Sequence, residues 1–151
     1  MRLLPLILAL LAIGCQTRPA QETAAATPPP TRVVPDAQLR ETRWVPRQLA
    51  GQPVTLPSDT REPYLLLRAD GTAEGNGSCN RFRGSFFSET AGELKFSPLM
   101  STRMACAAIS TENEFIRALG QSNTYRISGD TLLLVSAANA PVARLEAVYL
   151  H

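Results

Sequence analysis

Short β-like runs separated by turn residues fill the chain from Arg43 onward, and this alternation restricts the fold more than any other feature of the sequence. Gly129 and Asp130 separate two of these runs, and such a pair is a strong signal for a tight hairpin. The pattern therefore predicts a small, strongly curved antiparallel sheet or a partly open barrel. The predicted strands are residues 44–49, 64–68, 72–75, 84–88, 93–96, 124–128, 131–135 and 143–150.

One helix is expected to interrupt the strands. Thr111 and Glu114 fit a capping box that would begin it, Ile116 and Leu119 continue an apolar face, and Gly120 is a natural stop. A helix of about ten residues is too short to be stable alone, so it needs the sheet to pack against. The fold class is therefore α+β.

The amino terminus has the features of an export signal. Arg2 precedes an unbroken apolar run from Leu3 to Ile13, which is shorter than the roughly 20 residues of a membrane-spanning helix. The segment that ends at Gly14 and Cys15 resembles the lipobox of bacterial lipoproteins, which implies cleavage before Cys15 and acylation of that residue. Gln16, rather than Asp, then implies sorting to the outer membrane, with the protein facing the periplasm.

Three segments follow from these features. We predict a signal peptide over residues 1–14, a lipidated Cys15 with a tether over residues 15–39, and a globular domain over residues 40–151. The tether is rich in Pro, Ala and Thr, and such a composition buries too little apolar surface to offset its chain entropy, so it is expected to be disordered.

Two cysteines, Cys79 and Cys106, remain once Cys15 carries lipid. An even number in an oxidising compartment favours a disulfide, provided that the two Cα atoms lie within about 7 Å. A metal would need three or four ligands, and a catalytic thiol would need a base. The two cysteines and His151 do not supply either, so we expect no metal, no cofactor and no enzymatic activity.

Two stretches carry a family resemblance: GNGSCNRFRG from Gly75 to Gly84, and STRMAC from Ser101 to Cys106. Together with Trp44, Glu114 and the strand pair from Tyr125 to Leu134, they resemble the META domain family, which includes HslJ-like bacterial lipoproteins. The resemblance covers about residues 40 to 149. It implies a compact α+β domain with a curved antiparallel sheet and a helix.

The resemblance brings no catalytic residues. The glycines of the first stretch permit positive φ or close backbone approach, and Asn80 is expected to bond neighbouring backbone in a turn. The motif positions without an assigned role are Gly75, Asn80, Gly84, Thr102, Arg103 and Met104.

Charge and aromatic content limit the partners. The net charge is +2 and the basic residues are scattered, so nucleic acid is not an expected partner. Arg81, Arg83 and Arg103 form either a cationic patch for an acidic partner or glycan, or, as we favour, solvated strand positions. Core positions are expected for Trp44, Phe82, Phe86, Phe87, Phe96 and Phe115.

The resemblance implies an envelope lipoprotein, because family members are linked to envelope stress, drug tolerance, secretion or motility. We expect it to be a monomer without enzymatic activity. Membrane contact would occur through the lipid anchor, and the expected action is stress tolerance through an unidentified envelope protein. Two alternatives remain open: a binding module for a lipid or small apolar ligand, and an inhibitor of an envelope hydrolase.

Overall fold

The computed structural model describes residues 35–149, which form ten strands and one helix. The predicted signal peptide, the lipidation of Cys15 and most of the predicted tether lie outside the described residues. Within residues 35–149, no helix has the length and apolar character needed to cross a bilayer. The elements are β1 Arg43–Leu49, β2 Gln52–Pro53, β3 Tyr64–Leu67, β4 Thr72–Asn76, β5 Arg81–Phe87, β6 Lys95–Phe96, β7 Met100–Ser101, α1 Ile109–Gln121, β8 Ser122–Ser128, β9 Thr131–Ser136 and β10 Pro141–Val148.

The strands form one antiparallel sheet in the order β6-β5-β4-β3-β1-β10-β9-β8. The short strand β2 pairs with β1, and β7 pairs with β5. The two ends of this order approach each other, because the amide of Leu94 donates to the carbonyl of Asn123 at 3.1 Å and that of Tyr125 donates to Gly92 at 2.8 Å. No continuous ladder joins the two ends within the described residues, so the sheet is curved but not closed. The predicted α+β class is confirmed.

Most predicted strands are present, with shifted ends. The hairpin at Gly129 and Asp130 forms as predicted, with Ser128 paired to Thr131 across it. Strand β5 begins three residues earlier than expected, and β6 is reduced to two residues. The last strand ends at Val148.

The core lies between the sheet and α1. Alternating residues of the strands point inward, so Leu65 and Leu67 of β3 are buried beside Phe115 of the helix. Trp44 is fully buried, and its indole N–H donates to the carbonyl of Leu39 at 3.0 Å. This bond satisfies the one polar group of a side chain that otherwise fills the interior.

The phenylalanine predictions are mostly confirmed. Phe82, Phe86 and Phe115 are buried, and Phe96 packs against the core in a half-buried position. The prediction for Phe87 is wrong, because this side chain is 53% exposed. Phe87 follows Phe86 in β5, and successive strand residues point to opposite faces of the sheet.

The helix begins earlier than the sequence predicted. Its N-cap is Ala108, which makes no side-chain capping bond, and both Thr111 and Glu114 lie inside the helix. The predicted capping box is therefore wrong. The helix continues through Gly120 to Gln121, and the chain then becomes extended at Ser122 and enters β8.

Candidate functional site

A disulfide joins the two motif stretches. Cys79 lies in the turn between β4 and β5, Cys106 lies just before α1, and their Cα atoms are 5.7 Å apart. This distance is in the range that a disulfide needs, and the predicted bridge is present. The bond fixes the turn to the segment that leads into the helix.

Two glycines of the first stretch allow close packing. A Cβ on Gly75 would overlap the carbonyl oxygen of Tyr64 and the ring of Phe82, and a Cβ on Gly84 would lie 2.8 Å from Leu99 Cδ2. Neither glycine has a positive φ. Of the two expected uses of glycine, close backbone approach is therefore the one observed at these positions.

The turn between β4 and β5 packs directly on the helix. The amide of Ser78 donates to Asn76 Oδ1 at 2.8 Å, and that of Gly77 donates to the carbonyl of Asn80 at 2.8 Å. A Cβ on Gly77 would overlap the side chain of Glu112. Gly77 thus leaves the space that Glu112 fills.

Asn80 connects this turn to the second motif stretch. The side chain is 2% exposed. Its Oδ1 accepts from Thr102 Oγ1 at 2.9 Å and from the Met104 amide at 2.7 Å, and its Nδ2 donates to the Met104 carbonyl at 2.9 Å and to Glu112 Oε1 at 2.7 Å. The amide group uses its full set of two acceptor and two donor positions. The expected bonds to nearby turn backbone are replaced by bonds to residues 22 to 32 positions away.

Glu112 is a buried acidic residue that bonds both the turn and the Asn80 side chain. Its side chain lies in the first turn of α1, and the residue is 4% exposed. Oε2 accepts from the backbone amides of Cys79 at 3.1 Å and Asn80 at 2.6 Å, while Oε1 accepts from Asn80 Nδ2. No arginine or lysine forms an ion pair with it among residues 35–149. Three hydrogen-bond donors, rather than an opposite charge, compensate its burial.

Glu112 was not among the residues for which the sequence predicted a role. A signal was present, because Glu112, Phe115 and Leu119 follow the i, i+3, i+7 spacing of one helix face. That face is the apolar one, so an acidic residue on it was anomalous. The capping-box prediction concerned Glu114 instead, which is exposed.

The segment that Asn80 holds is itself exposed. We call residues 100–105 the display loop; every residue in it is exposed, with Met100 at 76% and Met104 at 60%. Pairing of β7 with β5 fixes its first end, and the amide of Thr102 adds a bond to the carbonyl of Arg81 at 3.2 Å. The disulfide at Cys106 fixes its other end. The loop is therefore fixed at both ends, and the Asn80 side chain bonds Thr102 and Met104 between them.

Arg81, Arg83 and Arg103 line two adjoining depressions. Arg81 and Arg83 line an open groove of about 600 Å³, together with Tyr64 and Glu74. Arg103 lines a second depression of about 740 Å³, which runs from the display loop to the start of α1 and shares Met100, Ser101 and Thr102 with the first groove. Arg81 and Arg83 thus form a pair on β5, and Arg103 belongs to the loop.

The described residues offer no evident metal site. No group of three or more His, Cys, Asp or Glu side chains within residues 35–149 is placed to hold a metal ion. The buried Glu112 has its oxygens occupied by donors of the protein. What the arrangement does is hold the display loop in one conformation.

Comparisons with known proteins agree with this fold. A family model described as the META domain matches residues 37–149. An NMR structure of a protein from Burkholderia xenovorans is similar, with 26% identity and a TM-score of 0.59 over 74% of this chain and 85% of that one. A second NMR structure has 27% identity and a TM-score of 0.56 over 72% of this chain and 90% of the other. No curated protein sequence matches the chain.

Proposed function

This chain belongs to the META domain family, and from this premise we propose that it is a lipid-anchored envelope protein that binds another protein through its display loop. The proposal depends on one observation: residues 100–105 are exposed to solvent, yet Asn80, the disulfide and the pairing of β7 hold them in place. Met100 and Met104 present large apolar side chains to solvent, and the exposed Ile109 lies beside them. Exposed apolar side chains grouped in this way are typical of protein interaction sites.

The contacts that order the display loop favour binding, because they lower its entropic cost. A flexible loop loses conformational entropy when it is ordered by a partner, and that loss weakens the complex. Here Asn80, the Cys79–Cys106 disulfide and the pairing of β7 order the loop before any partner arrives. Methionine side chains remain adaptable on this ordered backbone, and they fit partners of varied shape.

The packing of the interior favours a protein partner over a lipid or small apolar ligand. A carrier needs a concave apolar site that encloses most of its ligand. Large side chains, including Trp44, Phe115 and Leu65, fill the space between sheet and helix. The depressions near the motif stretches are open to solvent and carry arginine side chains.

Export is the second part of the proposal. The disulfide supports it, because such bonds persist in oxidising compartments. We place the protein at the outer membrane, held by Cys15 and facing the periplasm, where it acts in envelope stress tolerance without catalysing a reaction. Changing Cys15 to Ser should abolish acyl labelling and release or stall the chain. Continued labelling of this variant would refute the anchor.

The binding surface is tested by photocrosslinking in intact cells. A photoreactive residue at position 104 of the full chain should give a discrete crosslinked product with an envelope protein. The matched control carries the same residue at the exposed position of Tyr149, which follows β10 and lies outside the display loop. Equal products at both positions, or none at position 104, would contradict the proposal.

A further inference from the structure

Arg103 occupies a special position in the display loop, because it stands between two residues that Asn80 holds. Thr102 is held through its hydroxyl, and Met104 is held through both its amide and its carbonyl. Arg103 itself is exposed, and no hydrogen bond or ion pair of its own side chain forms within residues 35–149. A single long cation thus projects from a segment whose neighbours on both sides are fixed.

We propose that the display loop is the reactive-site loop of a serine protease inhibitor, with Arg103 entering the specificity pocket of a trypsin-like enzyme. This inference rests on the proposed function and names the partner class for the same loop. Trypsin-like enzymes carry a carboxylate in that pocket, which complements the guanidinium. Met100 and Met104 would supply apolar contact around the central arginine. An arginine that becomes buried in a complex and is surrounded by apolar contacts is a common centre of tight interfaces.

The hydrogen bonds between Asn80 and Met104 distinguish an inhibitor from a substrate. The serine Oγ of the protease attacks the Arg103 carbonyl carbon, and its proton passes through the enzyme's histidine to the Met104 nitrogen as the C–N bond breaks. The products are an ester of Arg103 on the enzyme and a free amine at Met104. Asn80 Oδ1 bonds that nitrogen at 2.7 Å, and Nδ2 bonds the Met104 carbonyl at 2.9 Å. The amine therefore stays beside the ester.

Reversal of the step then restores the loop. The Met104 amine attacks the ester carbonyl, the serine Oγ departs and regains its proton, and the peptide bond re-forms with no net change. Holding an amine against an ester gives effective molarities on the order of 10⁵ M or more, so religation competes with hydrolysis by water. The enzyme remains occupied as long as the loop keeps its shape.

The disulfide provides a second restraint across the same bond. Cys79 precedes the bond between Arg103 and Met104, and Cys106 follows it. A chain cut at this bond is therefore still one covalent molecule, and its two parts separate only after reduction. This linkage supplies a specific signature for the test.

The experiment titrates the full chain, in mild detergent, against trypsin with a chromogenic substrate. We expect inhibition with a dissociation constant below about 1 μM, an affinity expected of a specific protein complex. We also expect slow cleavage between Arg103 and Met104, with products that separate on a gel only after reduction. Arg103→Leu should weaken trypsin inhibition by about 100-fold, as for an interface hot spot. The same variant should inhibit chymotrypsin, whose pocket is hydrophobic.

The matched control is Arg126→Leu, which removes an exposed arginine from β8 and should retain full trypsin inhibition. Rapid digestion at Arg103 without inhibition, or equal losses in the two variants, would overturn the inference. A crosslink at Met104 to an envelope protein, without trypsin inhibition, would overturn the inference and leave the proposed function standing. Failure of both experiments would overturn both.

Discussion

Replacing Glu112 with Gln tests whether a buried carboxylate holds the two motif stretches together. Oε2 of Glu112 accepts two backbone amides and Oε1 accepts Asn80 Nδ2. Glutamine has one oxygen and one amino group. If the glutamine oxygen accepts from the two backbone amides, its amino group faces the amino group of Asn80. One hydrogen bond is then lost, and two buried donors oppose each other.

Asn80 is not free to rotate its amide and relieve this conflict. Its Oδ1 accepts from the Met104 amide, and its Nδ2 donates to the Met104 carbonyl. Exchanging the two atoms would place donor against donor and acceptor against acceptor at Met104. A lost hydrogen bond to a charged group costs about 1.5–3 kcal/mol, and an unsatisfied buried donor adds more, so Glu112→Gln should lower the free energy of unfolding by about 2–4 kcal/mol.

The assay is guanidinium unfolding of the full chain, followed by the fluorescence of Trp44, which is the single tryptophan and is fully buried. The matched control is Glu114→Gln, which makes the same chemical change on the exposed side of the same helix. Its ion pair with Arg117 is exposed, so its loss should change the free energy of unfolding by less than about 0.5 kcal/mol. Equal effects of the two variants, or a Glu112→Gln protein as stable as the parent, would refute the reasoning.

Three further predictions address the turn, the disulfide and a surface carboxylate. Gly77→Ala should destabilise the domain by about 1–3 kcal/mol, as overpacked sites do, because the added methyl group would overlap Glu112; an unchanged unfolding midpoint would contradict this contact. Replacing Cys79 and Cys106 together with alanine should lower the free energy of unfolding by about 3–4 kcal/mol, because the disulfide joins residues 27 positions apart and so restricts the unfolded chain. Guanidinium titration measures this loss against the oxidised parent, and an unchanged free energy of unfolding would contradict it. The pKa of Asp70 is lowered, chiefly because its carboxylate accepts from the backbone amide two residues later. Its stabilising contribution should be present above its ordinary pKa of 3.8 and be lost as the pH falls through the lowered value, and an NMR titration that finds an ordinary or raised pKa would exclude this bond.

The sequence determined the sheet and its covalent constraint. Short β-like runs bounded by turn residues predicted most of the strands, including the one that contains Leu65 and Leu67. The pairing of Cys79 with Cys106 followed from number and compartment, because only two candidates remained after Cys15. These inferences need only local sequence patterns or residue counts.

The same local rules were insufficient at two places. Phe87 was predicted to lie in the core, but its neighbour Phe86 occupies the inward position, and the sheet register determines which of two adjacent side chains points inward. The start of α1 was misplaced because Thr111 and Glu114, which match a capping motif in the sequence, lie inside the helix. The amide of Ile109 donates to the carbonyl of Cys106 at 3.2 Å, and the helix begins there.

Only the tertiary structure decided how the motif residues act together. Asn80 lies 24 positions from Met104 and 32 positions from Glu112, and no sequence pattern predicted these contacts. Hydrogen bonds between such distant groups form only when the sheet and helix bring them within about 3 Å. The physical reason is that a repeating hydrophobic pattern specifies which faces are buried, whereas the partner of a buried polar group depends on the three-dimensional path of the whole chain.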